Sequence, residues 1–175
     1  MYRLETERLT ITEFTADMAQ AVHENSLDRD VRRFVPDEVF ETVEEAADTV
    51  AFLMGQYGRN GGPLVYPVLR REDGANIGYV QAVPMEDGEW EIGYHIGEKY
   101  TRRGYAAEAV TAFLPDVMRR LGINRISGVC MAENAASRRV MEKCGFRLIY
   151  EGLGDYQGVR TSVCRYEFEE RKMEK

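Results

Sequence analysis

The sequence contains little cysteine, and its cysteines are not spaced as in a metal site or a disulfide framework. Cys130, Cys144 and Cys164 are odd in number and include no CxxC pair, and the chain has only two histidines. Zinc sites and disulfide-rich secreted domains both need closely spaced cysteines or a histidine cluster. We therefore expect reduced thiols that pack as small apolar side chains, and no bound metal.

Long apolar runs and an excess of positive charge are also missing. No stretch approaches the ~20 apolar residues of a membrane span, and the charged start MYRLETERLTITEF lacks the apolar centre of a signal peptide. We expect a cytoplasmic protein without a membrane partner. The net charge of −7 argues against nucleic-acid binding, which needs a basic face, and suits a cationic substrate such as an amine or a peptide N-terminus.

What is present is an ordinary globular composition in 175 residues, with 44% hydrophobic and 30% charged residues. This length suits one domain over residues 1–175. Hydrophobic periodicity and turn residues predict an α+β domain with a mixed central sheet of about seven strands and about four helices. The predicted elements are a strand at 4–14, helices at 16–25 and 43–58, a three-stranded meander at 64–97, a helix at 104–121 interrupted by Pro115, the strand NRISGVCM, the helix NAASRRVMEKC and two last strands.

The segment YTRRGYAAEAV, residues 100–110, has the composition of an anion site. A strand passes through a basic turn into a helix, whose N-terminus carries unpaired amide donors and partial positive charge. Arg102 and Arg103 are electrostatically misplaced there unless a phosphate or pyrophosphate joins them, and Gly104 permits a close backbone approach. A solvated arginine-rich turn is the alternative. The sequence has neither GxxxxGK[ST] nor GxGxxG after the first strand, so a different phosphate-bearing ligand is required.

Five segments, in this order, carry a resemblance to a known family: ETERLTITEF, WEIGYHI, RRGYAAEAV, INRISGVCMAENAASRRVMEKCGF and EGLGDYQG. They resemble the GNAT superfamily of acetyl-CoA-dependent N-acetyltransferases, and within it the branch that acetylates ribosomal-protein N-termini. The resemblance implies a GNAT-like sheet and acetyl-CoA as co-substrate. It assigns cofactor contacts to Tyr94, Ile96, Arg102, Arg103, Gly104, Tyr105, Ala106, Ala107, Asn134 and Ser137.

Two positions depart from the family pattern. The family usually has Gly or Asn where this chain has Arg102, and Gln or Arg at the position of Thr101, so one backbone-permissive position is lost. Many members carry a tyrosine acid where this chain has Met141. The resemblance then favours Ser137 or a bound water for protonating the leaving thiolate.

Acetyl transfer to an amine also needs a base, for which a carboxylate acting through water is adequate. Glu91 is the first candidate, because it lies on the WEIGYHI strand and alternates to the face opposite Tyr94. Asp155 is the second, because the ribosomal-protein branch has an acidic residue at that place in EGLGDYQG. His95 shares the face of Glu91 and is either a proton shuttle or a structural histidine.

The acceptor is the least determined partner. The resemblance favours a peptide or ribosomal-protein α-amino group, with a small amine or an antibiotic as alternatives, and the protein is expected to be a monomer or a homodimer. The acceptor wall is expected within residues 26–63, which include Phe34, Val35, Phe40, Phe52 and Tyr57. A non-catalytic acyl-CoA sensor and a structural domain with a fortuitous basic turn remain competing interpretations.

Overall fold

The computed structural model describes residues 1–170, in which one sheet of eight strands is flanked by five α-helices. The strands are β1 (Arg3–Glu5), β2 (Leu9–Thr12), β3 (Leu64–Arg70), β4 (Asn76–Pro84), β5 (Trp90–Ile96), β6 (Arg125–Met131), β7 (Arg147–Tyr156) and β8 (Val159–Glu169). The helices are α1 (Ala19–Ser26), α2 (Arg29–Phe34), α3 (Val43–Met54), α4 (Tyr105–Leu121) and α5 (Ala135–Lys143). The strand order is β1-β2-β3-β4-β5-β6-β8-β7.

The predicted fold class is correct, and the counts of about seven strands and four helices are each one too low. The single strand expected at 4–14 is a hairpin of β1 and β2, because Thr6 and Leu9 bond to each other across a tight turn. The short helix α2 was not predicted, because it buries only Val31 and so has no apolar periodicity to detect.

The core lies between the sheet and the apolar face of α4. Ala109, Val110, Phe113 and Val117 of this helix are fully buried. Pro115 is exposed within α4, and the helix runs on from Tyr105 to Leu121 instead of being interrupted. None of the helices within residues 1–170 is long and apolar enough to cross a membrane.

The sheet opens between β5 and β6, which are its only parallel neighbours in the described chain. Strand β5 pairs with β4 along its whole length, and β6 pairs likewise with β8. The two strands pair with each other at one position, Glu91 opposite Ser127. Beyond Glu91 the described part of the chain therefore offers no ladder partner to the backbone groups of β5 that point towards β6, which leaves unpaired donors along a gap.

Candidate active site

A cavity of about 1630 Å³ occupies this gap and extends to both faces of the sheet. Its walls come from β5 and β6, from the turn before α4, from the start of α5, from the region of α2 and from the tip of β7. All but one of the predicted site residues line it: Glu91, Tyr94, Ile96, Arg102, Gly104, Tyr105, Ala106, Ala107, Asn134, Ser137 and Asp155. The exception is Arg103, whose exposed side chain does not line the cavity.

The N-terminus of α4 is open towards this cavity. Gly104 is the N-cap residue, has the left-handed φ of 79° and provides no side-chain cap, so the first-turn amides of Tyr105–Ala107 have no intrahelical acceptor. Arg102 also has a left-handed backbone, with φ of 62°. The turn therefore keeps this geometry without the expected Gly or Asn, at a cost of roughly 1–2 kcal/mol for a side chain in that conformation.

Arg8 and Thr6 hold the turn in place, and the sequence did not single them out. Arg8 donates to the backbone oxygen of Arg103 at 2.9 Å and to Oε2 of Glu108 at 2.7 Å, and its guanidinium lies 4.5 Å from the ring centre of Tyr105. The Thr6 hydroxyl donates to Oε1 of Glu108 at 2.6 Å. Both residues lie in the ETERLTITEF segment, whose resemblance to the family was the one sequence feature that pointed to them. Their contacts join residues about a hundred positions apart, and such contacts leave no local sequence pattern.

On the α4 and α5 side of the gap, the first turn of α5 meets β5. Asn134 caps the helix, because its Oδ1 accepts a hydrogen bond from the Ser137 amide at 3.1 Å. The Tyr94 hydroxyl donates to the Ser137 backbone oxygen at 2.9 Å and lies 3.0 Å from Ser137 Oγ. One turn further on, Met141 is buried beside Gly128. Hydroxyl donors in this corner are therefore Ser137 and Tyr94.

Glu91 lies on the opposite face of β5, together with His95. Burial raises the pKa of Glu91 to about 7, while the positive charge of Arg165 acts in the opposite direction. A carboxyl with this pKa is divided between its two protonation states near neutral pH, as a general base requires. The His95 Nε2 atom lies 3.4 Å from Oδ2 of Asp28 and is buried without a hydrogen-bond partner among residues 1–170.

A second half-buried carboxyl, Glu38, lines the same cavity and was not predicted. It ends the short 3-10 turn Pro36–Glu38 and accepts a hydrogen bond from the Tyr79 hydroxyl. Burial, reinforced by the negative charge of Asp37, raises the pKa of Glu38 to about 7. Glu38 lies in a loop without periodicity, so no sequence signal marked it.

Asp155 lies beside the turn that joins β7 and β8 and is exposed at the edge of the cavity. It is therefore the more solvated of the two predicted carboxylates. Three or more His, Cys, Asp or Glu side chains grouped to hold a metal ion are not found anywhere in residues 1–170.

The expected acceptor wall is only partly correct. Phe34 and Val35 line the cavity. Phe40 does not line it, and Phe52 is 57% exposed on α3. Tyr57 instead packs in the core, where its hydroxyl donates to the Val65 backbone oxygen at 2.6 Å and its ring stacks on a core tyrosine. Helical spacing did not distinguish core aromatics from cavity aromatics.

The chain matches a known family over most of its length. Residues 8–147 match the model of the acetyltransferase (GNAT) domain. Over 143 residues the chain is 35% identical to the uncharacterized N-acetyltransferase YnaD of Bacillus subtilis (strain 168), and the match covers 81% of each protein.

Solved structures share the fold. An acetyltransferase of the GNAT family from Bacillus anthracis superposes with a TM-score of 0.81 at 29% identity, over 96% of this chain and 98% of that one. The ribosomal L7/L12 α-N-protein acetyltransferase RimL, solved with coenzyme A, superposes with a TM-score of 0.82 at 20% identity, over 97% and 98% of the two chains. This second likeness concerns the fold alone.

Proposed function

The chain belongs to the GNAT family of acetyltransferases and is an acetyl-CoA-dependent N-acetyltransferase. From this premise we propose where each of the two substrates binds in the cavity. Acetyl-CoA binds on the α4 and α5 side, and the acceptor amine approaches from the side of Glu91. One observation carries the proposal: a continuous cavity joins the uncapped N-terminus of α4 to Glu91 through the gap in the sheet.

The cofactor side fits a diphosphate that continues into a thioester. The amides of Tyr105–Ala107 and the charge of Arg102 suit the diphosphate, and Gly104 leaves room for its approach. The unpaired donors of β5 near Tyr94 and Ile96 suit the carbonyl oxygen of the acetyl group, as an oxyanion site does. When bound, acetyl-CoA supplies the acetyl carbon that the amine attacks.

Glu91 is the proposed base. Its raised pKa lets it accept a proton from the acceptor, directly or through water, and its burial favours a partner of positive charge. Asp155 is retained as the alternative base, since it lines the same cavity from the β7 side. Ser137 is the proposed donor towards the leaving sulfur, and direct attack by the amine requires no covalent enzyme intermediate.

We propose a cationic acceptor, and within that class the α-amino group of a protein or peptide. Two half-buried carboxyls, Glu38 and Glu91, line the cavity, and neither forms an ion pair with another of the described residues. A half-buried carboxylate without a cationic partner loses part of its solvation, so an ammonium group suits this wall. Residues 1–175 are proposed to form one catalytic domain, since the sheet extends from Arg3 to Glu169.

An acceptor screen tests the function. Purified protein is given acetyl-CoA with N-terminal peptides, polyamines and aminoglycosides in turn, and release of free thiol is followed. We expect release that depends on one class of amine, and a fall of about 10²–10⁴ in kcat for Glu91→Gln. Glu72→Gln is the matched control, because Glu72 is exposed in a turn outside the cavity.

Two outcomes would contradict the proposal. Coenzyme A binding without amine-dependent thiol release from any acceptor would favour a sensor domain. Turnover that is unchanged in Glu91→Gln and lost in Asp155→Asn would move the role of base to Asp155.

A further inference from the structure

We propose that Met141 limits the length of the acyl chain that the enzyme transfers, because its side chain closes the narrow end of the gap between β5 and β6. The inference rests on the proposed function, in which the thioester binds on the α4 and α5 side of the sheet. It adds a specificity-determining residue to that side and restricts the acyl donor to acetyl-CoA in preference to thioesters with longer chains.

The narrow end of the gap is defined by the pairing of its two strands. Glu91 of β5 and Ser127 of β6 lie opposite each other there. One residue further along β5, Ile92 lies on the same face as Tyr94, which contacts α5, because side chains alternate along a strand. One residue further along β6, Gly128 faces α5 as well. The strands diverge beyond this point, so Ile92 and Gly128 mark the closed end of the gap on the α5 face.

Met141 of α5 fills the space over Gly128. A Cβ atom on Gly128 would lie 2.6 Å from both Sδ and Cε of Met141, and 3.2 Å from Cγ2 of Ile92. The tip of Met141 therefore occupies the place that a larger residue at position 128 would need for its own side chain. Met141 and Ile92 are each only 2% exposed, yet both line the cavity, as residues at a blind end do.

Helix α5 also places Met141 next to the reacting group. Ser137, the proposed donor to the leaving sulfur, precedes Met141 by four residues, so the two side chains lie on one face of the helix. The diphosphate end of the cofactor is proposed to bind at the N-terminus of α4, and the amine is proposed to arrive from the opposite face of β5. The narrow end is then the direction left for the acyl chain, and Met141 is the wall that a longer chain meets.

A wall of this kind discriminates by size. Met141 and Ile92 present only carbon and thioether atoms, which suit the methyl group of an acetyl chain. A longer chain has to displace the Met141 side chain from its contact with Gly128, and overfilling a closely packed site is unfavourable. In an apolar pocket one methylene group changes kcat/KM by about 10–200-fold.

Shortening Met141 is the first test, with the amine that the acceptor screen identifies. Met141→Ala is expected to raise the ratio of kcat/KM for butyryl-CoA to that for acetyl-CoA at least about tenfold, because the chain gains the space of the lost side chain. Met118→Ala is the matched control, since Met118 is equally buried on α4 but lies outside the cavity. It should lose stability and keep the ratio of the wild type. A folded Met141→Ala variant with an unchanged ratio would overturn the proposal.

The reverse test fills the space over Gly128 and remains informative if Met141→Ala does not fold. Gly128 lies within β6 and has no left-handed φ, so its backbone accepts alanine. Gly128→Ala forces the flexible tip of Met141 away from the strand and towards the acyl chain. The kcat/KM for propionyl-CoA is therefore expected to fall at least about tenfold more than that for acetyl-CoA. An equal fall with both thioesters would argue against Met141 as the wall.

Binding measured without an acceptor separates this inference from the proposed function. In titration calorimetry, the wild type is expected to bind butyryl-CoA at least about tenfold more weakly than acetyl-CoA, and Met141→Ala is expected to remove most of this difference. Equal affinity of the wild type for both thioesters would contradict the role of Met141. Absence of thiol release from acetyl-CoA with every amine would instead contradict the proposed function.

Discussion

At the scale of single residues, the surroundings of the Glu38 and Glu91 carboxyls disfavour their charged form. The pKa of each is raised to about 7, first of all by burial. The folded protein therefore holds these protons more tightly than the unfolded chain, whose glutamates titrate near pH 4.3. The stability that these protons contribute is complete at acidic pH and is lost as the pH rises to about 7.

This linkage predicts a stabilising substitution. Glu38→Gln mimics the neutral carboxyl at every pH, so at pH 8 we expect its free energy of unfolding to exceed that of the wild type by up to about 3 kcal/mol. At pH 4 the two proteins should differ little. Urea unfolding at both pH values measures the effect, with Glu72→Gln as the exposed control, and an equal difference at both would contradict it.

Sequence reasoning found one of these carboxyls and missed the other, for a physical reason. Glu91 lies in a strand, where alternation alone assigns it to the face opposite Tyr94. Glu38 lies in a 3-10 turn, and its position follows from packing of that turn over Tyr79. Arg8 was missed similarly, because a contact with Arg103 and Glu108 leaves no local pattern.

At the scale of elements, the hairpin of β1 and β2 supports the N-terminus of α4. Arg8, in the turn of this hairpin, fixes the Arg103 carbonyl and the Glu108 carboxylate. The carboxylate would otherwise be free to turn towards the first-turn amides, where it would compete with an anionic ligand. The hairpin thus keeps the first-turn amides of α4 free to bind an anionic ligand.

Removing this support is expected to weaken cofactor binding. Arg8→Ala should raise the Kd for coenzyme A about tenfold, because a charge-assisted pair worth roughly 1.5–3 kcal/mol is lost from the turn. Titration calorimetry measures the change. Arg3→Ala is the control, since Arg3 is an exposed residue of the same hairpin and pairs with Glu5, away from the turn before α4. Equal affinities in both variants would show that the turn before α4 keeps its conformation without Arg8.

Elements with strong periodicity were predicted well, and those defined by their neighbours were not. Helix α3 begins behind its Thr42 cap as expected, and the meander of β3 to β5 was also predicted. Helix α2 and the division between β1 and β2 depend on tertiary contacts that composition does not encode. The opening between β5 and β6 was likewise not predicted, because the sequence pattern of a strand is the same whether or not its neighbour diverges.

At the scale of the whole molecule, the sheet consists of two parts joined at one pair of residues. Strands β1 to β5 form one part and β6 to β8 the other, with Glu91 opposite Ser127 between them. A ligand that contacts α4, β5 and α5 together bridges the parts and binds only the folded state. Its binding energy therefore adds to the stability of the fold.

Coenzyme A is accordingly expected to raise the melting temperature. At a concentration one hundred times Kd the added stability is about 2.7 kcal/mol, which corresponds to a rise of about 5–10 °C for a chain of this size. Differential scanning calorimetry measures the shift. Adenosine at the same concentration is the control ligand, because it has no diphosphate. An equal shift with adenosine would exclude the N-terminus of α4 as the group that binds the cofactor's diphosphate.

The position of the gap within the sheet also determines how the two substrates meet. Tyr94 and Glu91 lie on opposite sides of one strand, so under the proposed function acetyl-CoA and the amine bind on opposite sides of the sheet and meet at the gap between β5 and β6. Neither substrate has to depart before the other arrives. Steady-state kinetics should therefore show intersecting double-reciprocal lines, the signature of a ternary complex, because strand β5 lets both substrates be bound at the same time.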